Sequence, residues 1–184
     1  MAPEHCQEFL RRHRLLADQY DPGEILEAFL DEMDRGLAGE TSSLAMIPSY
    51  IPLPGQPPRN RTVLAVDAGG THFRTALIRF DADSVAHMEF RTTHAMPGVE
   101  GELSREEFFD RIADYLQPVI GESDRLAFCF SYPALIGRDR DGTLLYWTKE
   151  IRAPQVVGEK ILANLSASLR RRGLPGPAHA QVRN

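Results

Sequence analysis

The 184-residue chain has two cysteines, Cys6 and Cys129, too far apart in sequence to suggest a disulfide framework or a metal-ligand spacing. Its six histidines are scattered. No stretch approaches the roughly 18 consecutive apolar residues of a membrane span. The opening "MAPEHCQEFLRRHRLL" mixes charges into its apolar positions and has no signal-peptide core. Cations are not in excess: 21 Lys and Arg against 26 Asp and Glu leave a net charge of −5, which disfavours a nucleic-acid partner. The short run Arg170-Arg171-Arg172 reads as the basic end of a helix. These absences point to a protein with no nucleic-acid or membrane partner, in a reducing, cytoplasmic setting. What is present, 42% hydrophobic and 26% charged residues, suits one domain or one lobe of something larger.

Residues 1–45 read as an N-terminal helical segment of two helices. The first carries Phe9, Leu10, His13, Leu16 and Ala17 at helical spacing. The second opens at "DPGE", with Asp21 as N-cap, Pro22 at the first position and Glu24 three residues on, a capping-box pattern. Its apolar stripe is Ile25, Leu26, Phe29, Leu30 and Met33. Residues 46–60 are proline-rich and read as a linker. Strands are expected over 61–67, 73–80 and 86–93 as an antiparallel meander. "LSREEF" then opens a helix, with Ser104 as N-cap, Glu107 closing the box and Leu103 stapled to Phe108. That helix buries Phe108, Phe109, Ile112, Ala113 and Leu116 and stops at Gly121. "RLAFCFS" is a nearly continuous apolar strand of a sheet interior. "GRDRDGTLLYW" reads as a hairpin around Asp141-Gly142. A helix over 157–172 follows, with Ile161, Leu162, Leu165 and Leu169 inward and Gly173 as C-cap, then a strand at "HAQVRN". Three antiparallel strands, then helix, strand, helix, strand, is the order of an α/β, ribonuclease-H-like lobe: a mixed five-stranded sheet with helices on its faces, here spanning 61–184.

Two stretches carry chemistry. "VLAVDAGGTHFRTALI" is strand, turn and strand, so neither a P-loop nor a dinucleotide fingerprint fits. On one reading "DAGGTHFR" is a tight hairpin in which Gly69 and Gly70 supply positive φ. On the other it is a phosphate site. The glycines let backbone amides approach phosphate oxygens, Thr71 adds a hydroxyl, Arg74 adds a planar cation, and Asp67 orients a magnesium ion through water. The second stretch runs from Leu126 to Lys149, "LAFCFSYPALIGRDRDGTLLYWTK". Ser131 ends a strand beside Tyr132-Pro133, and Trp147-Thr148-Lys149 follows a hairpin able to fold back on it. Hydroxyl and amine donors over an aromatic or proline floor suit a polyol. The plainer alternative is a strand end with Ser131 bonded to backbone and Trp147 in the core.

Together these stretches resemble the hexokinase family, ATP-dependent sugar kinases of the actin-like ATPase superfamily. "DAGGTHFR" is similar to the family's phosphate-binding hairpin, usually Asp-X-Gly-Gly-Thr-Asn-X-Arg. "FCFSYP", a thirteen-residue gap and "WTK" are similar to its sugar-binding signature, and "MIPSY", "VVGEKI" and "RRRGLP" match in order. The resemblance covers nearly all of the chain and implies the N-terminal lobe of an enzyme that phosphorylates glucose or a related hexose at its terminal hydroxyl, the first step of glycolysis. It implies ATP with Mg²⁺ at Asp67, Gly69, Gly70, Thr71 and Arg74, with Asp67 toward the metal. It places the hexose at Ser131, Pro133, Thr148, Lys149 and Asn184, with Lys149 in a catalytic role. It also implies that helices corresponding to the first two belong to the other lobe. Three positions depart from the pattern: His72 stands for Asn, Ala127 for Gly and Cys129 for Thr or Asn. The family's last strand here ends in Asn-Asp, the Asp being the general base. Asn184 aligns with the Asn, and the Asp and second lobe lie outside these residues. The expectation is therefore a truncated piece with little activity alone, completed by a separately encoded second lobe if one exists. The alternatives are a non-catalytic sugar-binding or regulatory fragment and, more distantly, an actin-like ATPase with no sugar substrate.

Overall fold

The computed structural model describes residues 4–48, 50 and 55–183. The chain folds as two compact units, residues 1–48 and 49–184.

In the first unit α1 spans Glu4–Arg12 and α2 spans Pro22–Leu37. The first helix is shorter than its apolar spacing predicts. Arg14 adopts φ 54°, and the Leu15 amide turns back to the Leu10 carbonyl at 2.8 Å, so Leu16 and Ala17 fall outside it. A short 3₁₀ turn at Ala17–Gln19 follows. Asp21 caps α2 by accepting from the Gly23 and Glu24 amides at 2.7 and 3.3 Å. The reciprocal Glu24 bond of a capping box is not present among the described residues. The α2 stripe is open: Ile25, Leu26, Phe29 and Leu30 are each about half exposed, and the helix buries none of its residues.

The second unit holds the sheet. Its strands β1 (Arg61–Ala68), β2 (His72–Phe80) and β3 (Ala86–Ala95) form the meander. Then come α3 (Arg105–Leu116), β4 (Arg125–Phe130), a small hairpin of β5 (Ala134–Ile136) and β6 (Gly142–Leu144), α4 (Ile161–Arg171) and β7 (His179–Arg183). The five-stranded order is β3-β2-β1-β4-β7, antiparallel from β3 to β1 and parallel from β1 to β7. This is the mixed sheet of the ribonuclease-H-like class.

Period-two alternation decides what is covered. Leu64, Val66 and Ala68 of β1, Phe73, Thr75 and Leu77 of β2, Leu126, Phe128 and Phe130 of β4 and Val182 of β7 are buried. They pack with Phe108, Phe109, Ile112, Ala113 and Leu116 of α3 and with Ile161, Leu162, Leu165 and Leu169 of α4. Each large apolar side chain so buried contributes roughly 1.5–3 kcal/mol. The two helices touch each other, with Ser168 and Arg171 of α4 both bonded to the Asp110 carboxylate of α3. Both helices therefore lie on one sheet face, a choice that the expectation of flanking helices left open. Ala65, Ala127 and Gln181 on the other face are half-buried and Cys129 is exposed, so β4 is covered on one side only.

Two local expectations are also revised. The tip of the β5–β6 hairpin is Gly137–Arg140, with Arg140 at φ 62°, and not Asp141-Gly142. Gly142 begins β6, where a β-carbon would come within 3.0 Å of Val182 Cγ1, so its lack of a side chain serves close packing. The last helix starts at Ile161, later than its sequence suggests. A bridge between Thr143 and Lys160, with Gly158 at φ 83°, holds the preceding residues outside it.

Candidate functional site

The site forms where β1 and β4 end side by side. In the parallel register Asp67 lies opposite Cys129 and Ala68 opposite Phe130. The Ser131 amide continues the pairing onto the Ala68 carbonyl at 3.2 Å. The turn 69–72 leaves β1 at this point. Its Gly69 amide donates to the His72 carbonyl at 3.0 Å, and the Met96 amide donates to the Thr71 carbonyl at 2.9 Å, which ties the turn to the end of β3. Neither Gly69 nor Gly70 has positive φ, so the reading in which they serve left-handed turn geometry is set aside.

Their lack of side chains answers to space. A β-carbon on Gly69 would meet the His72 carbonyl oxygen at 3.2 Å. One on Gly70 would meet Lys149 Nζ at 2.8 Å and Cε at 2.9 Å. Lys149 thus lies across Gly70, and the two stretches singled out in the sequence converge there. Asp67 and Arg74 face each other across the antiparallel pair, with Arg74 Nη1 2.8 Å from Asp67 Oδ2. Both side chains are more than two-fifths exposed, so this pair contributes less than about 1 kcal/mol. The exposed Thr71 hydroxyl bonds to His72 Nδ1 at 2.8 Å.

The side chain that joins the halves is Tyr132, which is 1% exposed. Its hydroxyl donates to the Gly69 carbonyl at 2.7 Å. Its ring meets Trp147 edge-to-face at 4.7 Å between centroids, and Lys149 Nζ stands 5.6 Å from the ring centre. Burial pushes the phenol up to about 12, so it stays a neutral donor throughout the working pH range. Trp147 packs on the core through Phe108 and Phe130 and donates from Nε1 to the Ala153 carbonyl at 2.9 Å. Trp147 therefore does serve the core, and the exposed Thr148 and Lys149 project from a stretch anchored by it. Pro133 is half-buried, and its carbonyl accepts from the Leu145 amide at 2.9 Å, closing the loop on itself. Ser131 is exposed at the strand end. Asn184 lies outside the described residues.

Asp67, Gly69, Gly70, Thr71, Arg74, Ser131, Pro133 and Lys149 are thus gathered at one end of the sheet. The sequence reading missed two supports. One is Tyr132 as the tether of the turn, for which the signal was an aromatic residue carrying a hydroxyl directly after a buried strand. The other is Asp141, 8% exposed, whose carboxylate accepts from the Gly142, Leu162 and Ala163 amides at 2.7, 2.8 and 3.0 Å. It caps α4 from the hairpin, a role that no local motif announces.

The fold and these motifs define a lobe of the actin-like ATPase class. A family model described as Hexokinase matches residues 5–183. Among known proteins, Hexokinase-3 of Mus musculus is 35% identical over 156 residues, 80% of this chain and 17% of that protein. Hexokinase-1 of Oryza sativa subsp. japonica is 32% identical over 165 residues, 82% of this chain and 33% of its own length. The solved structure of a hexokinase from Schistosoma mansoni complexed with glucose superposes with a TM-score of 0.68 at 27% identity, over 84% of this chain and 36% of that one. The chain belongs to the hexokinase family. It spans about a third or less of the length of these two relatives.

Proposed function

We propose that these residues form the phosphate-facing lobe, with part of the sugar pocket, of an ATP-dependent hexose kinase acting on the terminal hydroxyl of glucose or a similar sugar. The observation that carries this reading is the seat of Lys149 across Gly70. A hydroxyl-binding stretch and a glycine turn suited to phosphate meet within one side chain's length, as transfer between a sugar and a nucleotide demands. The hexokinase with glucose bound is a relative that supports the choice of sugar.

The roles follow from the chemistry of each group. Backbone amides of the turn and the Thr71 hydroxyl are donors for phosphate oxygens, and Arg74 adds a planar, bidentate cation. Among the described residues, no group of three or more His, Cys, Asp or Glu is placed to hold a metal. The half-exposed Asp67 carboxylate instead offers one hard oxygen ligand, which fits a magnesium ion that keeps its waters and phosphate oxygens. Such an ion, when bound with ATP, neutralises charge building on the transferred group. Ser131, Thr148, Lys149 and the floor of Pro133 hold the sugar so that its terminal oxygen lies in line with the γ-phosphorus. That oxygen bonds to phosphorus as the bond to the β–γ bridging oxygen breaks and ADP leaves. The hydroxyl proton passes to a carboxylate which, by family likeness, follows the position of Asn184.

Transfer requires charge stabilisation from both walls of the cleft. We assign residues 61–184 to one wall, 46–60 to a linker and 1–45 to helices that dock on the opposite lobe. On this reading the 184 residues alone show no glucose-dependent formation of ADP, whereas a protein in which they are joined to a second lobe does. The test is a coupled ADP assay on both proteins, with Asp67→Asn as a control in the longer one. Glucose-dependent turnover by the 184 residues, abolished by Asp67→Asn, refutes the division of labour. A longer protein active toward ATP but indifferent to every hexose refutes the substrate class and favours an ATPase.

A further inference from the structure

At the other end of the same sheet, an open pocket of about 920 Å³ lies among the starts of β1, β4 and β7 and the tip of the β5–β6 hairpin. Its lining includes Arg59, Arg61, Arg125, Arg138, Arg140 and His179. These arginines come from three separate places, the start of β1, the start of β4 and the hairpin tip, in a chain whose net charge is −5. Among the described residues, Arg59, Arg61, Arg138 and Arg140 have no carboxylate within ion-pair distance. Arg125 has only the largely exposed Asp124, at 3.7 Å. The one acidic residue lining the pocket, Asp139, is already bonded to Lys160. Beside the hairpin tip, Arg183 donates to Gln181 Oε1 at 2.8 Å, and burial together with the charge of Arg140 holds its guanidinium below the ordinary value. Like charges assembled without counterions repel one another, and a bound anion relieves that cost.

From this arrangement we infer that the pocket is a binding site for a compact small molecule bearing two or more phosphate groups, separate from the phosphate hairpin. Every fixed cation lining it is an arginine. The planar guanidinium pairs bidentately with phosphate, whereas lysine acts as a point charge. The volume falls in the range of small-molecule sites. Arg61 opens β1 and Asp67 lies six residues on, so roughly 20 Å of strand separates this pocket from the glycine turn. One molecule of pyrophosphate size does not span both.

The experiment is calorimetric titration of the 184-residue protein with inorganic pyrophosphate, alongside sulfate at matched ionic strength and a single-stranded oligothymidylate. Arginine Nε–H resonances are followed by NMR in the same series. Pyrophosphate is expected to bind and to shift the side-chain signals of Arg61, Arg125, Arg138 and Arg140. The double variant Arg138→Glu/Arg140→Glu, at an exposed hairpin tip, should weaken binding by about tenfold or more, the loss of one to two charge-assisted hydrogen bonds. Arg74→Ala should leave the pyrophosphate-induced shifts of these four side chains unchanged. Because the resonance map uses the unaltered protein, a variant that misfolds does not prevent a decision. The inference is overturned if pyrophosphate does not bind, if Arg74→Ala abolishes those shifts, or if sulfate competes equally at matched ionic strength. It is also overturned if the oligonucleotide binds more tightly than pyrophosphate, which marks an extended polyanion surface.

Discussion

Lys149 occupies the space that a side chain at Gly70 would need, with its ammonium nitrogen 2.8 Å from where that β-carbon would sit. The residue after a phosphate-type glycine and the last residue of the sugar-type motif are therefore mutually exclusive in volume.

Gly70→Ala should expel the Lys149 side chain without unfolding the lobe. Gly70 does not have positive φ, and the atoms in the way belong to the far end of a flexible side chain. The stability change should stay within about 0.5 kcal/mol. The Lys149 methylene protons should lose the ring-current shift imposed by Tyr132. Unmoved Lys149 signals would show that the chain does not lie across the turn.

Lys149→Ala, placed in a protein that also carries the second lobe, should lower kcat/KM for glucose by roughly ten- to hundredfold, the worth of a hydrogen bond to a charged group. Nucleotide binding should change far less. Steady-state kinetics with each substrate varied separately would reveal this, and an unaltered value for the sugar removes Lys149 from the pocket.

Asp141→Ala should remove the acceptor for three backbone amides and the cap of α4, at a cost of about 2 kcal/mol. Asp141→Asn keeps one acceptor oxygen and should cost less. Thermal unfolding of the two variants orders them. Equal midpoints for Asp141→Ala and the parent would contradict the capping role.

How much of this was legible beforehand differs from element to element. The strands over 61–67 and 73–80 were readable, but that Leu64-Val66-Ala68 and Phe73-Thr75-Leu77 form the covered faces came from the structure, whereas Phe108 to Leu116 were named as a buried helix stripe from their spacing. The residues that converge at the candidate site were named from their order and likeness. The supports were not visible, because each joins distant positions: Tyr132 reaches 63 residues back to Gly69, and Asp141 reaches 21 forward to Leu162. The arginine pocket escaped for the same reason, its members never forming a run. Both helices choosing one sheet face is likewise a tertiary decision, since their stripes fit either side.

The first unit offers a pH test. Glu32 is pulled down from its ordinary 4.5 to about 2, chiefly by the Ser43 amide it accepts at 2.6 Å, with the Ser42 hydroxyl also bonded to it at 2.9 Å. A depressed carboxylate stabilises fully above its ordinary value and loses that contribution as pH falls through the folded one. Protection of the Ser43 amide, corrected for intrinsic exchange, should hold steady above about 5 and decline between 4.5 and 2. A flat profile would detach Glu32 from this segment.

Hydrogen exchange should also rank residues 1–45 as the least protected part of the isolated chain, because α2 buries none of its residues. Strong protection from Phe9 to Met33 in a monomer would show that the exposed stripe is not waiting for another surface.

Trp147 is the only tryptophan in the chain. It leans on the ring whose hydroxyl holds the Gly69 carbonyl, and Lys149 stands over that same ring. The protein thus carries its own optical gauge at the junction of the two half-sites. Tryptophan emission should therefore report on the glycine turn and the lysine together, without a label.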